Sequence, residues 1–174
     1  MSSVILAAGI AQAIRAHGVE TYAHECCGAL IGTRGAVGST VVVSALVPLP
    51  NTTEEGPRRR FLVRPADYRL AERRAIELGA ELLGFYHSHP DHPARPSQYD
   101  LEHAWPTFAY VIVSVRGGGI SVDATRNATA GDMTVWFLAD DRSAFSEGTL
   151  SEGSLTDGDH NPDSDTAAAV HGEA

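Results

Sequence analysis

The run ELLGFYHSH, residues 81–89, is followed by prolines at 90, 93 and 96. Its length and aromatic content suit a strand buried in a sheet, and the prolines forbid a regular continuation. A chain built around such a strand must bury it on both sides and must leave His87 and His89 at its C-terminal end. Residues two apart on a strand share a face, so the two imidazoles can converge on one point while Ser88 faces away.

The rest of the chain supplies the layers that this strand needs. Residues 4–17, VILAAGIAQAIRAH, repeat apolar groups at Ile5, Ala8, Ile10, Ala13 and Ile14, which predicts a first helix with Gly18 as its stop. CGALIGT (27–33) and STVVVSALVPL (39–49) read as neighbouring strands of a hairpin, with FLV (61–63) as a short strand after a polar loop over 50–60. PADYRLAERRAIELGAE (65–81) opens with Pro65, repeats apolar groups at Tyr68, Ala71, Ala75, Ile76 and Leu78, and stops at Gly79, so it predicts a second helix. A short helix over 97–105, a buried strand over 107–115 and two more strands, ISVDATR and MTVWFLA, complete the pattern. The expected fold is a single α/β domain, residues 1–140, with a mixed curved sheet flanked by helices. Residues 141–174 form an acidic Ser/Gly-rich tail, expected to be disordered from about 147.

Bulk composition narrows the function classes. Of the 174 residues, 43% are hydrophobic, enough for one core. The net charge of -9 would repel a nucleic-acid backbone, so nucleic acid is a poor partner. No apolar run approaches the roughly 20 residues that span a bilayer, and the N-terminus lacks the basic start of a signal peptide; a cytoplasmic protein with no membrane partner is the expectation. Cys26 and Cys27 are adjacent, a poor geometry for a disulfide with each other. Small buried cysteines are the ordinary reading, and a role for them is left open.

His87 and His89 gain weight from Asp100, which the loop from 90 to 96 returns toward them. Two histidines and an aspartate are enough to hold a catalytic zinc with a fourth position left to water, and the prolines reduce the entropy lost in fixing the distant third ligand. Taken alone, S-x-x-D from Ser97 to Asp100 is also a helix-capping pattern. A hydrolytic site further needs a carboxylate that is near the metal without binding it. Glu25, in HECCGALIG at the entrance to the first predicted strand, is best placed for this. His92 reads as an exposed loop residue, and His103 is left out of the site. Asn51 and Thr52 belong to a loop that could border a groove, and Arg58, Arg59 and Arg60 form either a solvated turn or a docking patch for an acidic partner.

Glu25 followed by C-C-G-A-L-I-G, then G-F-Y-H-S-H-P, then S-Q-Y-D, resembles the JAMM (MPN+) metalloprotease family, whose pattern is a glutamate followed at a distance by H-[ST]-H-P-x6-S-x2-D. Both the residue types and the gap from His89 to Ser97 agree, and the likeness runs over roughly residues 4–138. The resemblance implies an MPN-like domain with one zinc per chain, held by His87, His89 and Asp100. It also implies Glu25 as the general base toward water and Ser97 as the donor to the tetrahedral oxyanion. The family cleaves peptide or isopeptide bonds after the C-terminal glycines of ubiquitin-like proteins. The loops here are short, unlike the insertions of eukaryotic deubiquitinases. The chain is more similar to compact bacterial and archaeal members, some of which act on a sulfur-carrier protein with a Gly-Gly end. Two rival readings stand beside this: a non-catalytic MPN-type binding module, and a metal-dependent phosphoesterase, which also uses H-x-H plus Asp but usually adds ligands for a second ion. The sequence leaves open which conjugate is cut, the oligomeric state and the role of the tail.

Overall fold

Strand β4 (Glu81–Pro90) is the axis of the molecule, and it is buried from Leu83 to Pro90. The computed structural model describes residues 2–35, 39–51, 63–118 and 128–153. In chain order, the elements before β4 are β1 (Ser3–Leu6), α1 (Ile10–Thr21), β2 (Cys27–Arg34), β3 (Thr40–Leu49) and α2 (Pro65–Glu77). After it come α3 (Gln98–His103), β5 (Ala109–Arg116), β6 (Thr129–Leu138), β7 (Phe145–Glu147) and β8 (Thr149–Glu152). The strands form one mixed sheet in the order β7-β6-β5-β4-β2-β3-β1-β8. β4 pairs antiparallel with β2 and parallel with β5. One face of the sheet packs on α1 through Ile14, Leu30, Tyr86 and Val113. The other packs under α2 through Ala71, Ala75, Phe85 and Phe108. Cover on both faces explains why β4 reads as a continuous run instead of an alternating one.

The α/β class, the β2–β3 hairpin and the presence of α2 follow the sequence reading; three features depart from it. The first is the N-terminus. Residues 4–17 are not one helix, because Ser3–Leu6 forms a strand paired with β3 (Val4 opposite Val41) and Gly9, at φ 82°, turns the chain into α1. Gly18 does not end α1 but lies inside it. A Cβ there would stand 2.9 Å from Val115 Cγ2 and 3.3 Å from Ser88 Cβ, so the glycine allows α1 to sit close against β4 and β5.

The second departure is at the C-terminal end. β7 pairs with β6, and after Gly148 the chain crosses to the opposite edge of the sheet, where β8 pairs in parallel with β1. The sheet thus curls until it is nearly closed. Residues 147–152 are therefore ordered, against the expectation of disorder from about 147. Main-chain bonds hold them: Gly148 N–H to Val135 O at 2.9 Å, Thr149 N–H to Ser2 O at 3.1 Å and Gly153 N–H to Leu6 O at 2.7 Å. Residues 154–174 lie outside the described residues.

The third is α2, whose inward face is narrower than expected: Ala71 and Ala75 are buried, whereas Ile76 is 77% exposed and Leu78 49%. The predicted strand ISVDATR, Phe61 and Leu62 of FLV, Thr52 and Arg58 to Arg60 fall outside the described residues, and Val63 is not in a strand. Among the described residues no helix is long and apolar enough to cross a membrane.

Candidate metal centre

β4 brings His87 and His89 to one face, 1% and 6% exposed. The strand continues through Pro90, which still pairs with β5 opposite Val115, one residue beyond the expected end. Proline is accommodated because the β2 ladder has already finished at Cys27 opposite His87. The loop then turns at Asp91, at φ 56°. The Asp91 carboxylate accepts from the Tyr22 hydroxyl (2.8 Å) and the Gly117 N–H (3.1 Å), which fixes the root of the loop.

Farther along, the Pro93 carbonyl lies 2.9 Å from His89 Nδ1. An Nδ1–H donating there leaves the Nε2 lone pair of His89 directed at the site.

Ser97 caps α3. Its hydroxyl accepts from the Asp100 N–H (3.2 Å) and donates to Asp100 Oδ2 (2.7 Å), while the Ser97 N–H donates to the same oxygen (2.6 Å). S-x-x-D is therefore a capping box, and the cap is also what delivers Asp100, 8% exposed, to the histidines. The two sequence readings of this motif describe one geometry.

Three donor atoms converge. His87 Nε2 lies 3.0 Å from His89 Nε2 and 3.3 Å from Asp100 Oδ1, and His89 Nε2 lies 3.7 Å from Asp100 Oδ2. A tetrahedral ion with bonds of about 2.0–2.1 Å spaces its ligands about 3.3 Å apart, so this donor set fits a divalent metal. Among the described residues this is the one such cluster of histidine, cysteine and carboxylate groups. A phosphoesterase that needs a second ion finds no second set there.

The charges at His87 and Asp100 agree with that fit. Burial lowers the His87 pKa and favours the neutral ligand form. At His89, burial acts in the same direction but is outweighed by the hydrogen bonds to Asp100 and Pro93, so its pKa is raised. Burial alone would push Asp100 up; the two imidazoles and Ser97 reverse this and hold it well below the usual carboxylate range.

Glu25, 6% exposed, stands at the start of β2 on the same face, because Cys27 pairs with His87 and residues two apart share a side. Burial pushes its pKa up to about 8, while the charges of His89 and Asp100 act on it in opposite directions. Asn51 Nδ2 donates to its main-chain carbonyl at 3.0 Å and ties the loop after β3 to this residue. All five residues singled out from the sequence, Glu25, His87, His89, Ser97 and Asp100, thus gather at one place.

Among the described residues, His92, His103, Cys26 and Cys27 do not join them. His92 is exposed. His103 stacks on Tyr99 at 4.0 Å between ring centroids, with Nδ1 2.8 Å from the Tyr99 carbonyl. Cys26 and Cys27 are buried, and burial pushes their thiols up to about 11 and about 12, away from thiolate chemistry.

One feature was missed from the sequence. A cavity of about 570 Å³ opens beside Asp100, lined by Val63, Tyr68, Phe85, Tyr99, Phe108 and Tyr110 among others. Trp105 stands at its rim, 62% exposed, with its main chain clamped by the Tyr110 hydroxyl. The density of aromatic residues in YDLEHAWPTFAY was the available signal.

Comparisons with known proteins show what the chain is similar to. A family model described as prokaryotic homologs of the JAB domain matches residues 7–130. The chain is 36% identical over 122 residues to a desampylase of Haloferax volcanii, a match that covers 67% of this chain and 84% of that protein. It is 32% identical over 109 residues to a probable TtuB-protein conjugate cleaving protease of Thermus thermophilus, covering 63% of this chain and 68% of the relative. A solution structure of a protein from Salinibacter ruber superposes with a TM-score of 0.63 at 36% identity, covering 99% of this chain and all of the other. The nearly closed mixed sheet, the buried His-His-Asp cluster and a family match over most of its length together show that the chain belongs to the JAB/MPN family, in its prokaryotic JAMM-type branch.

Proposed function

We propose that this protein is a zinc-dependent hydrolase that cuts a peptide or isopeptide bond after the C-terminal Gly-Gly of a ubiquitin-like or sulfur-carrier protein. The observation that carries the reading is the convergence of His87, His89 and Asp100 beside a buried glutamate. The names of the two relatives, a desampylase and a conjugate-cleaving protease, support a conjugate as substrate.

In this reading His87 Nε2, His89 Nε2 and an Asp100 carboxylate oxygen hold the ion. A bound zinc supplies Lewis acidity toward water and the scissile carbonyl. Glu25 takes a proton from the attacking water on a carboxylate oxygen and passes it to the departing amine. The Ser97 hydroxyl, now donating to Asp100, can turn to meet negative charge on the carbonyl oxygen. The aromatic cavity beside Asp100 receives the extended end of the carrier, and burial there excludes water from the bond being cut.

The test uses the full chain and a carrier protein whose Gly-Gly end is joined to a lysine or cysteine. The wild type holds about one zinc per chain and releases the adduct. His87→Ala loses both metal and turnover, and Glu25→Ala keeps the metal but loses turnover. A Glu25→Ala variant that cleaved at the native rate would remove the glutamate from the mechanism.

A further inference from the structure

Ser88, between the two histidines, is fully buried and faces away from them, toward α1. Its hydroxyl makes a bond that bears on the site from behind. In a regular antiparallel ladder, Cys26 and Ser88 would form the next rung after Cys27 and His87, exchanging two main-chain bonds. One of these is present, Ser88 N–H to Cys26 O at 3.1 Å. The Cys26 N–H instead donates to Ser88 Oγ at 2.9 Å. A side chain therefore closes the last rung of the β2–β4 ladder, one residue from Glu25.

We infer that Ser88 is a positioning residue for Glu25: its hydroxyl fixes the main chain entering β2 to the strand that carries His87 and His89, and so sets where the glutamate stands relative to that pair. This rests on the proposed function, in which Glu25 is the base. Without the hydroxyl, the Cys26 N–H, in a residue only 2% exposed, loses its acceptor. A buried donor in that state moves to find another partner or water, and Glu25 moves with it. The Asn51 bond to the Glu25 carbonyl is the other tether, and it holds the opposite side of the same residue. His87 and His89 stay in place because β4 remains paired with β5 through Pro90.

The experiment compares wild type, Ser88→Ala, Ser88→Thr and Ser88→Cys. It reads zinc content, kcat and KM on a Gly-Gly-terminated conjugate, and hydrogen exchange at the Cys26 amide with and without zinc. Ser88→Ala should keep about one zinc per chain and a KM within about twofold, while kcat falls about 10–100-fold, the range seen when a supporting hydrogen bond behind a metal site is removed. The Cys26 amide should exchange faster in both metal states. Ser88→Thr, which keeps a hydroxyl, should restore most of kcat. Ser88→Cys keeps the volume with a weaker acceptor, should fall between, and decides the matter if the alanine variant does not fold.

An unchanged kcat in Ser88→Ala, or loss of zinc from it, would overturn the inference. A wild-type protein that does not cleave the conjugate overturns the proposed function instead, and the Cys26 amide then still reports whether the tether exists.

Discussion

Helices α2 and α3 begin alike and end up doing different work. In each, the third helical residue is a buried aspartate that accepts from the N-cap N–H: Asp67, 5% exposed, and Asp100, 8% exposed; only at α3 does the N-cap side chain accept in return. At α2 both carboxylate oxygens meet the guanidinium of Arg64, at 2.9 Å and 3.3 Å. At α3 one oxygen is held by Ser97, and the other faces His87 Nε2 at 3.3 Å. Arginine is a permanent cation, so the charge of Asp67 is answered within the chain. Imidazoles answer Asp100 only when protonated, and burial works against that at His87. A buried carboxylate without a fixed cation calls for one from outside. The cap alone does not tell a structural aspartate from a ligand; the group facing its second oxygen does.

The contrast breaks most sharply by exchanging the two aspartates for alanine. Asp100→Ala should reduce zinc content from about one per chain to none and take cleavage to background. Asp67→Ala should keep the metal and the rate while losing about 1–3 kcal/mol of stability in a denaturant titration. Zinc retained by the first variant, or lost from the second, would contradict the distinction.

Ser97→Ala sharpens the comparison from the α3 side, since this residue serves both cap and chemistry. We expect kcat to fall about 10²–10³-fold, with about 1 kcal/mol lost from stability. Loss of stability alone would reduce Ser97 to a cap.

Glu25→Gln tests a buried acid that has no fixed cation at all. In the metal-free protein its folded-state pKa is about 8 against an ordinary 4.5. Between those values the folded state holds a proton that the unfolded state has released, so this group makes stability fall as pH rises from about 4.5 to about 8. Glutamine removes that dependence. The variant should therefore gain stability over the wild type progressively from pH 5 to pH 8, by up to a few kcal/mol in denaturant titrations. Parallel curves for the two proteins would mean that Glu25 is not buried as described.

The smallest effect belongs to Asp67. Arg64 holds its pKa below the ordinary 3.8, chiefly through their hydrogen bond. Its contribution to stability is complete above that ordinary value and fades as pH drops through the folded one. Asp67→Asn should flatten the acid limb of the stability profile and leave the neutral range almost unchanged.

Local chemistry was legible in the sequence and long-range closure was not. Alternation along one strand placed His87 and His89 together, and the capping spacing placed Asp100 relative to Ser97. Glu25 sits 62 positions before His87 and is buried because β2 pairs with β4; nothing within HECCGALIG states that pairing, so its place before the first predicted strand made it a candidate and the family resemblance gave it a role. The strand Ser3–Leu6 was hidden because its three apolar residues, running into a helix, satisfy helical spacing too, and Gly9 is the break between them. β7 and β8 were hidden for the opposite reason. They are held to the two edges by main-chain bonds that composition does not record, with Phe145 and Leu150 as their apolar anchors. The exposed Ile76 shows the limit of periodicity: it fits the helical repeat, yet the small residues Ala71 and Ala75 define the face that packs.

The central claim is that two imidazoles and one carboxylate gather a single ion while a glutamate stands by without binding it. Crystals of zinc-loaded protein, measured at the zinc absorption edge, test it most directly. The account predicts one anomalous peak, about 2.0–2.2 Å from His87 Nε2, His89 Nε2 and a carboxylate oxygen of Asp100, with the Glu25 carboxylate outside bonding distance. No peak at that place, or a peak ligated by Glu25 or by Cys26 and Cys27, would contradict it.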